Sequence, residues 1–254
     1  MWEVETVRGI FGLLFKIYVG VVFLATLLFF YIPIFILLSR ESWKVAAFKV
    51  HIVWCYAFRF LTFYHVKYKA KHPLPAGPYI IIANHASYLD IFLMYSLLPN
   101  HPFLFMGKSE ILKYPLMKTL FKRLNIPVFR NDRMKAAKSF IQAKKALENG
   151  WSIVIFPEGT IPDDNSPHMI PFKEGAFKLA KSAKVPLIPI SFTNNYKLFS
   201  DPEKILGPAR PGISHVHIHP CISAETVATH SCEELMQLAF ETIDRPIQAA
   251  LKPN

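Results

Sequence analysis

A histidine and an aspartate five residues apart, His85 and Asp90, are the pair in this sequence best suited to acid–base chemistry. His85 follows Tyr79–Ala83, an apolar stretch that predicts a short strand, and Asp90 falls near the start of a helix predicted from about Tyr88 to Leu98. A histidine takes the proton of a hydroxyl near neutral pH when a carboxylate fixes its tautomer and stabilises the imidazolium. Residues five apart in one continuous helix point about 140° apart. The pair therefore works only if His85 lies in the turn and Asp90 in the first helical turn.

The same segment also fits a structural role. Ser87-x-x-Asp90 matches the capping box, in which the acid caps the start of a helix, and His85 could be a buried structural histidine. Ser87 as a nucleophile is a weaker alternative, because the sequence around it has no G-x-S-x-G elbow and His85 is too near for a triad. On its own, the segment leaves the catalytic and the structural role equally open.

Two further segments place polar groups where predicted strands end, and ligands bind at strand ends in open α/β sheets. Glu158 lies in FPEGT, just after the predicted strand Ser152–Phe156; the Pro and Gly break the strand and project the carboxylate. An ordinary strand-ending turn is the alternative. Arg130 ends another short apolar strand, and its planar guanidinium suits a phosphate. A surface ion pair with Asp132 is the alternative there.

Four segments in this order resemble the motifs of the lysophosphatidate acyltransferase family (1-acyl-sn-glycerol-3-phosphate acyltransferases). They are NHASYLD (84–90), IPVFR ending at Arg130, FPEGT (156–160) and VPLIPI (185–190). The last of them, taken alone, indicates only packing. Together the four span 107 of the 254 residues, and the hydrophobic segment in front of them fits the same family.

The resemblance implies that a fatty acyl chain moves from a thioester, on acyl-CoA or acyl carrier protein, to the sn-2 hydroxyl of lysophosphatidic acid, giving phosphatidic acid. His85 would be the general base and Asp90 the residue that orients it. The family needs no metal and no cofactor, and no acyl-enzyme intermediate is required. The resemblance does not choose between the two donors, nor does it fix the acyl chain length.

The resemblance also implies a set of substrate-binding residues. Arg130 would hold the acceptor phosphate, Glu158, Gly159 and Thr160 would shape the acceptor site, and Lys108 would lie close to the reaction centre. Many members continue FPEGT with an arginine, whereas this chain has Ile161 followed by Pro-Asp-Asp-Asn. We expect Lys173 to supply the missing charge. Because of Ile161, another lysolipid such as a lyso-ornithine or lyso-glycine lipid is an alternative acceptor, and a lipid hydrolase is a more distant one.

Strand and helix patterns alternate along the chain, which predicts an α/β fold with a mixed, largely parallel sheet covered by helices. The resemblance implies the glycerolipid acyltransferase fold. We expect an N-terminal hydrophobic two-helix hairpin at residues 1–65 and a catalytic domain at residues 66–254, with a basic connector, Lys67–Gly77, near the boundary.

The N-terminal segments predict membrane attachment. Val19–Leu38 holds twenty residues without a charge, enough for a helix to cross the roughly 30 Å hydrocarbon core of a bilayer. Val45–Tyr64 is apolar but contains Lys49, His51 and Arg59, which are costly at the centre of a bilayer. Either the first helix spans and the second lies in the interface, or both dip into one leaflet, with a bend favoured at Pro33. A buried hairpin of a soluble protein is the alternative.

The net charge of +11 predicts an anionic partner, and next to a membrane helix that partner is the anionic leaflet. No module typical of nucleic-acid binding is found. The cysteines form no pair and no metal spacing, which suits a cytoplasmic domain; we expect a bacterial inner membrane with the catalytic domain on its cytoplasmic side. A basic group (Lys113, Lys118, Lys122, Arg123) fits either membrane docking or an ordinary solvated helix face. The alternating histidines His215, His217 and His219 predict a solvent-facing row on a strand and not a metal site.

Overall fold

The computed structural model describes residues 2–162 and 167–252 and contains a seven-stranded sheet with helices on both faces. The strands are β1 Tyr64–Lys71, β2 Ile80–Ala83, β3 Phe103–Lys108, β4 Ile126–Val128, β5 Ser152–Ile155, β6 Leu187–Phe192 and β7 Gly212–Ile218. The α-helices are α1 Trp2–Leu37, α2 Lys44–Leu61, α3 Leu89–Leu97, α4 Pro115–Leu124, α5 Arg133–Glu148, α6 Gly175–Ala183, α7 Asn195–Leu198, α8 Ala224–Thr229 and α9 Cys232–Leu251. Short 3-10 helices lie at Glu41–Trp43 and Ser109–Lys113.

The sheet runs in the order β1-β7-β6-β2-β5-β3-β4. The five strands from β6 to β4 are mutually parallel, while β7 is antiparallel to β6 and parallel to β1. The prediction of a mixed, largely parallel sheet covered by helices is confirmed. Because the five strands share a direction, their carboxyl ends meet at one edge of the sheet, and ligands of such sheets bind at that edge.

The central strand β2 is buried on both faces, as expected for a parallel strand covered by two helical layers. All four of its residues are fully buried. Ile80 and Ile82 pack into the core beneath α6 and α9, whereas Ile81 and Ala83 pack into the core beneath α2 and α3. The turn that follows β2 therefore starts from the most rigid part of the molecule.

The segment predicted as a basic connector begins instead as the strand β1, which pairs with β7. Its side chains alternate between more buried and exposed positions, with Tyr64, Val66 and Tyr68 inward and lysines outward. In the sequence, the lysines at every second position made this stretch resemble a basic connector, so its alternation of period two was not recognised as a strand. The strand crosses the boundary predicted between residues 65 and 66, and the division into two domains stays a prediction.

The histidine row on β7 is not the solvent-facing row that was predicted. β7 lies inside the sheet between β1 and β6, and its histidines are half-buried. His219 forms a hydrogen bond between its Nε2 and Ser191 Oγ at 2.8 Å. Burial is the main reason that the pKa of His219 falls to about 4. A neighbouring helix covers this face, since Ser191 Oγ also donates to the carbonyl of Ile243 in α9.

The N-terminal helix α1 is long and apolar enough over Val7–Leu37 to cross a membrane, and most of that length is not covered by protein. It continues through Pro33. α2 differs, because one of its faces is buried against α3 and packs Phe58 against Phe92 with ring centroids 4.5 Å apart. The exposed surface of α1 does not fit the alternative of a buried hairpin. α2 connects α1 to the sheet-bearing part of the chain.

Candidate active site

Polar side chains from five strands meet at the carboxyl edge of the parallel part of the sheet. They follow or end β2 (His85), β3 (Lys108), β4 (Arg130), β5 (Glu158) and β6 (Asn195). Four of these five residues are sequence-predicted site residues, and Asn195 is not. The fold thus brings together groups that lie up to 110 residues apart, between His85 and Asn195.

Asn84 fixes the exit of β2 to the neighbouring strand β6. Its side-chain Nδ2 donates to the carbonyl of Phe192 at 3.0 Å, and the Phe192 N–H donates to Asn84 Oδ1 at 2.8 Å. The side chain is buried, so the paired hydrogen bonds satisfy polar groups that water does not reach. The backbone just before His85 is therefore held in a fixed position against β6. Sequence reasoning had not singled out this asparagine.

Asp90 is fully buried and its two oxygens accept four hydrogen bonds. Oδ2 accepts from His85 Nδ1 at 3.1 Å and from the backbone N–H groups of Ala86 and Ser87, each at 2.9 Å. Oδ1 accepts from Asn195 Nδ2 at 2.6 Å. The same carboxylate accepts the N–H of Ser87, as the acid of the Ser87-x-x-Asp90 pattern would, and contacts the histidine, so the two roles separated in the sequence are combined in one side chain.

His85 lies in the turn, and its imidazole stacks on Phe156 with centroids 4.1 Å apart and planes 18° apart. Since Nδ1–H donates to Asp90, the tautomer assigned from this bond leaves the lone pair on Nε2. Nε2 makes no hydrogen bond within residues 2–162 and 167–252. The side chain is 12% exposed, so part of it is accessible from outside the protein. This geometry suits a base that takes a proton through Nε2.

Glu158 lies beneath the turn and is 1% exposed. Oε1 accepts the backbone N–H of His85 at 2.8 Å, and Oε2 accepts the N–H of Ile170 at 3.0 Å. Burial raises the pKa of Glu158 to about 7, with a smaller rise from nearby Asp90, against the two N–H donors that lower it. In this arrangement Glu158 positions the backbone of His85. Its contact with an acceptor stays a prediction.

Arg130, Lys108 and Lys173 converge on the turn of FPEGT. Arg130 Nη2 donates to the carbonyl of Gly159, and Lys108 Nζ donates to Thr160 Oγ1 at 2.9 Å. Burial, together with the charges of Arg130 and Lys108, lowers the pKa of Lys173. None of the three cations has a carboxylate within 4.0 Å among the residues that the structure describes. The cluster is suited to an anion.

Gly159 makes this convergence possible. Its φ of +76° lies in the left-handed region that glycine adopts without strain. A Cβ at this position would lie 2.9 Å from Arg130 Nη2 and 3.1 Å from Lys173 Nζ. Lys173 is held close because its backbone N–H donates to the carbonyl of Pro157 at 2.9 Å. Ile161 is buried and adds no charge to the cluster, while Asp163 and Asp164 lie outside the described residues.

Ser87 does not have the geometry of a nucleophile. Its side chain is fully buried, with Oγ donating to the carbonyl of Phe199 at 2.6 Å and accepting the N–H of Leu89 at 3.0 Å. Its hydroxyl therefore tethers the turn to a neighbouring segment and helps to begin α3. The basic residues around α4 are exposed, and Arg123 lies over the ring of Phe35 in α1.

Two further site residues, Asn195 and Phe156, were not predicted from the sequence. Asn195 follows the buried strand β6 in the run Thr193-Asn-Asn195, and polar residues at the end of a buried strand are the signal that could have found it. Phe156 opens the FPEGT segment, but its stacking on His85 depends on tertiary structure.

Comparison with known proteins supports the same fold and family. A family model described as Acyltransferase matches residues 65–193. A 1-acyl-sn-glycerol-3-phosphate acyltransferase of Saccharomyces cerevisiae is 36% identical over 53% of this chain and 45% of its own length; the alpha form from Mus musculus is 32% identical over 61% and 54%. The chain spans about half the length of these curated relatives. The crystal structure of the PlsC acyltransferase of Thermotoga maritima shares the fold, with a TM-score of 0.76, 24% identity and coverage of 97% of this chain and 99% of that one.

The raised pKa of Glu158 predicts a pH dependence of stability. The carboxyl binds a proton more tightly in the folded than in the unfolded chain, so its contribution is fully present below its ordinary value of 4.5 and is lost as pH rises through about 7. Relative to Glu158→Gln, which cannot titrate, the wild type should lose about 3 kcal/mol of unfolding free energy between about pH 4.5 and about pH 8. Urea unfolding of both proteins across this range measures the difference. Parallel pH profiles would contradict the assignment.

Proposed function

The chain belongs to the acyltransferase family, and we propose that it is a membrane-bound O-acyltransferase that converts lysophosphatidic acid into phosphatidic acid. It would take the acyl chain from a thioester and place it on the sn-2 hydroxyl. The curated relatives named above are 1-acyl-sn-glycerol-3-phosphate acyltransferases, which supports this acceptor. The observation that carries the proposal is the Asp90-bound His85, with Nε2 free, beside an anion-binding cluster.

The geometry supports a direct transfer. Nε2 of His85 takes the proton of the acceptor hydroxyl as that oxygen attacks the thioester carbonyl carbon. The tetrahedral intermediate then collapses, the carbon–sulfur bond breaks, and the leaving thiolate receives the proton held on Nε2. The products are an ester and a free thiol. Asp90 holds the ring and stabilises the imidazolium, as the aspartate of a catalytic triad does, without taking the proton itself.

The cation cluster supports a phosphate-bearing acceptor. Lys108, Arg130 and Lys173 surround the Gly159 turn, and charge-assisted hydrogen bonds to a phosphate are the strongest that these side chains make. Lys173 replaces the charge that Ile161 does not provide. A lyso-ornithine or lyso-glycine lipid offers a single carboxylate in place of the phosphate, with less negative charge and fewer acceptor oxygens for the three cations.

Membrane association is supported by α1 and by the distribution of charge. Residues 113–148 contain ten Lys and Arg against two Asp and Glu, so this stretch carries eight of the eleven net positive charges. Exposed cations there are suited to the anionic leaflet, as well as to a phosphorylated or acidic acyl donor. The choice between acyl-CoA and acyl carrier protein, and the placement on the cytoplasmic side of a bacterial inner membrane, stay predictions.

Replacing the base tests the reaction. His85→Ala should lower kcat by about 10²- to 10⁴-fold, the usual contribution of a general base, while the protein stays folded. Ser87→Ala is the matched control, because a hydrolase would need the Ser87 hydroxyl and direct acyl transfer would not. Thiol release with lysophosphatidic acid and an acyl donor measures both variants. Wild-type transfer by His85→Ala, or a loss confined to Ser87→Ala, would contradict the mechanism.

Replacing Arg130 tests the acceptor. Arg130→Ala should raise the KM for lysophosphatidic acid about tenfold or more, because a charge-assisted hydrogen bond to phosphate is lost, and should raise the KM for a lyso-ornithine lipid, whose carboxylate carries less charge, by a smaller factor. Arg133→Ala removes an equal charge from an exposed position three residues away and serves as the control. An unchanged KM for lysophosphatidic acid in Arg130→Ala would point to an acceptor without phosphate.

A further inference from the structure

Large apolar side chains are exposed mainly at the N-terminal end of the chain. Within the described residues, 20 of the 28 exposed large hydrophobic side chains lie in residues 7–63. Ile205 and Leu206, exposed to 63% and 59%, are the one adjacent pair outside that stretch among the same residues. They form the tip of the segment 199–211, which runs from the end of α7 to β7. Single exposed apolar residues are common, but an exposed pair beside a longer apolar face indicates an interaction surface.

The tip is packed against the first half of α1. A Cβ at Gly9 would lie 3.4 Å from Leu206 Cβ, and a Cβ at Gly12 would lie 3.1 Å from the carbonyl oxygen of Gly207. The two glycines thus let the segment approach the helix closely, at positions three apart that share one face. The apolar tip therefore continues the exposed apolar surface of α1.

Lys16, one turn further along α1, holds the backbone of the same segment. Its Nζ donates to the carbonyl of Asp201 at 3.2 Å and also to the carbonyl of Lys204. The position of the tip relative to the helix is therefore fixed by backbone contacts.

Phe63, between α2 and β1, is held in an unfavourable backbone conformation. Its φ is +58°, a region in which a bulky residue is strained and glycine is not, yet 57% of the side chain is exposed. The residue gains little burial within the protein in return. Its carbonyl accepts the N–H of Gly212 at 3.2 Å, so Phe63 lies where the segment 199–211 enters β7. An exposed aromatic ring retained at a strained position points to a partner outside the chain.

We propose that Phe63, Ile205 and Leu206 enter the same lipid leaflet as α1 and form a second membrane contact, the rim. The rim rests on the membrane association proposed above but needs no acyl transfer. Phe199, the first residue of the segment 199–211, also contacts the turn that carries His85, because its carbonyl accepts the hydrogen bond from Ser87 Oγ. Insertion of the rim into lipid would therefore restrict the motion of the turn that carries His85.

Site-specific labelling tests the rim in the full chain. Leu206→Cys and Phe63→Cys would each carry an environment-sensitive fluorophore in a Cys221→Ser, Cys232→Ser background, in which the remaining Cys55 is buried. Ile141→Cys, at a side chain exposed to 65%, is the matched control. With vesicles of phosphatidylcholine brominated on the acyl chains, we expect several-fold stronger quenching at 206 and 63 than at 141. If the protein sediments with the vesicles but quenching is equal at the three positions, the rim contact is contradicted while membrane association stands. Failure to sediment would overturn membrane association.

Phe63→Gly separates lipid contact from packing. Glycine adopts the φ of Phe63 without strain, so the melting temperature should stay unchanged or rise. Loss of the ring from the leaflet should speed transfer of the protein between vesicles by about tenfold or more. A lower melting temperature with an unchanged transfer rate would assign Phe63 to packing and remove it from the rim.

Discussion

The buried carboxylate of Asp90 is the interaction on which the site depends. An ionised carboxylate out of water is costly unless hydrogen bonds compensate it, and Asp90 receives four. Two of the donors are backbone N–H groups of the turn after β2, so the turn keeps its shape only while the carboxylate is there. The third donor is Nδ1 of His85, so the bond orients the imidazole ring. The fourth donor is Nδ2 of Asn195, which follows β6 in the chain. One side chain thus fixes the turn before α3 and the orientation of the His85 ring together.

The parallel sheet explains why the remaining groups are nearby. Each of the five parallel strands ends at the same edge, and each contributes one polar residue to the site. Glu158 supports the turn from below through the His85 N–H, while the glycine at 159 allows Arg130 and Lys173 to approach the same point. His85 and the cluster of Lys108, Arg130 and Lys173 are therefore both in contact with a single short segment, FPEGT. Under the proposed function, adjacent parts of the chain would bind the hydroxyl and the phosphate of one acceptor molecule.

Sequence patterns could predict the elements that carry strong local signals. The apolar stretch Tyr79–Ala83 corresponds to β2, Ile80–Ala83, and the helix predicted from about Tyr88 to Leu98 is α3, Leu89–Leu97. β1 was missed because its outward lysines resemble a linker, although its inward residues alternate. The roles of Asn84 and Asn195 could not be predicted, because their partners lie 108 and 105 residues away and only the folded sheet brings them together. Local pattern also could not show that Asp90 both accepts the N–H of Ser87 and contacts His85, since both roles use the same residue types at the same spacing.

The central claim is that Asp90 holds the neutral His85 with its proton on Nδ1 and its lone pair on Nε2. Nitrogen-15 NMR of the histidine-labelled protein reports this directly, because a protonated and an unprotonated ring nitrogen resonate far apart. The account predicts that the neutral ring of His85 carries its proton on Nδ1, and that Asp90→Asn abolishes this preference. A proton on Nε2 in the wild type, or the same tautomer in Asp90→Asn, would contradict it.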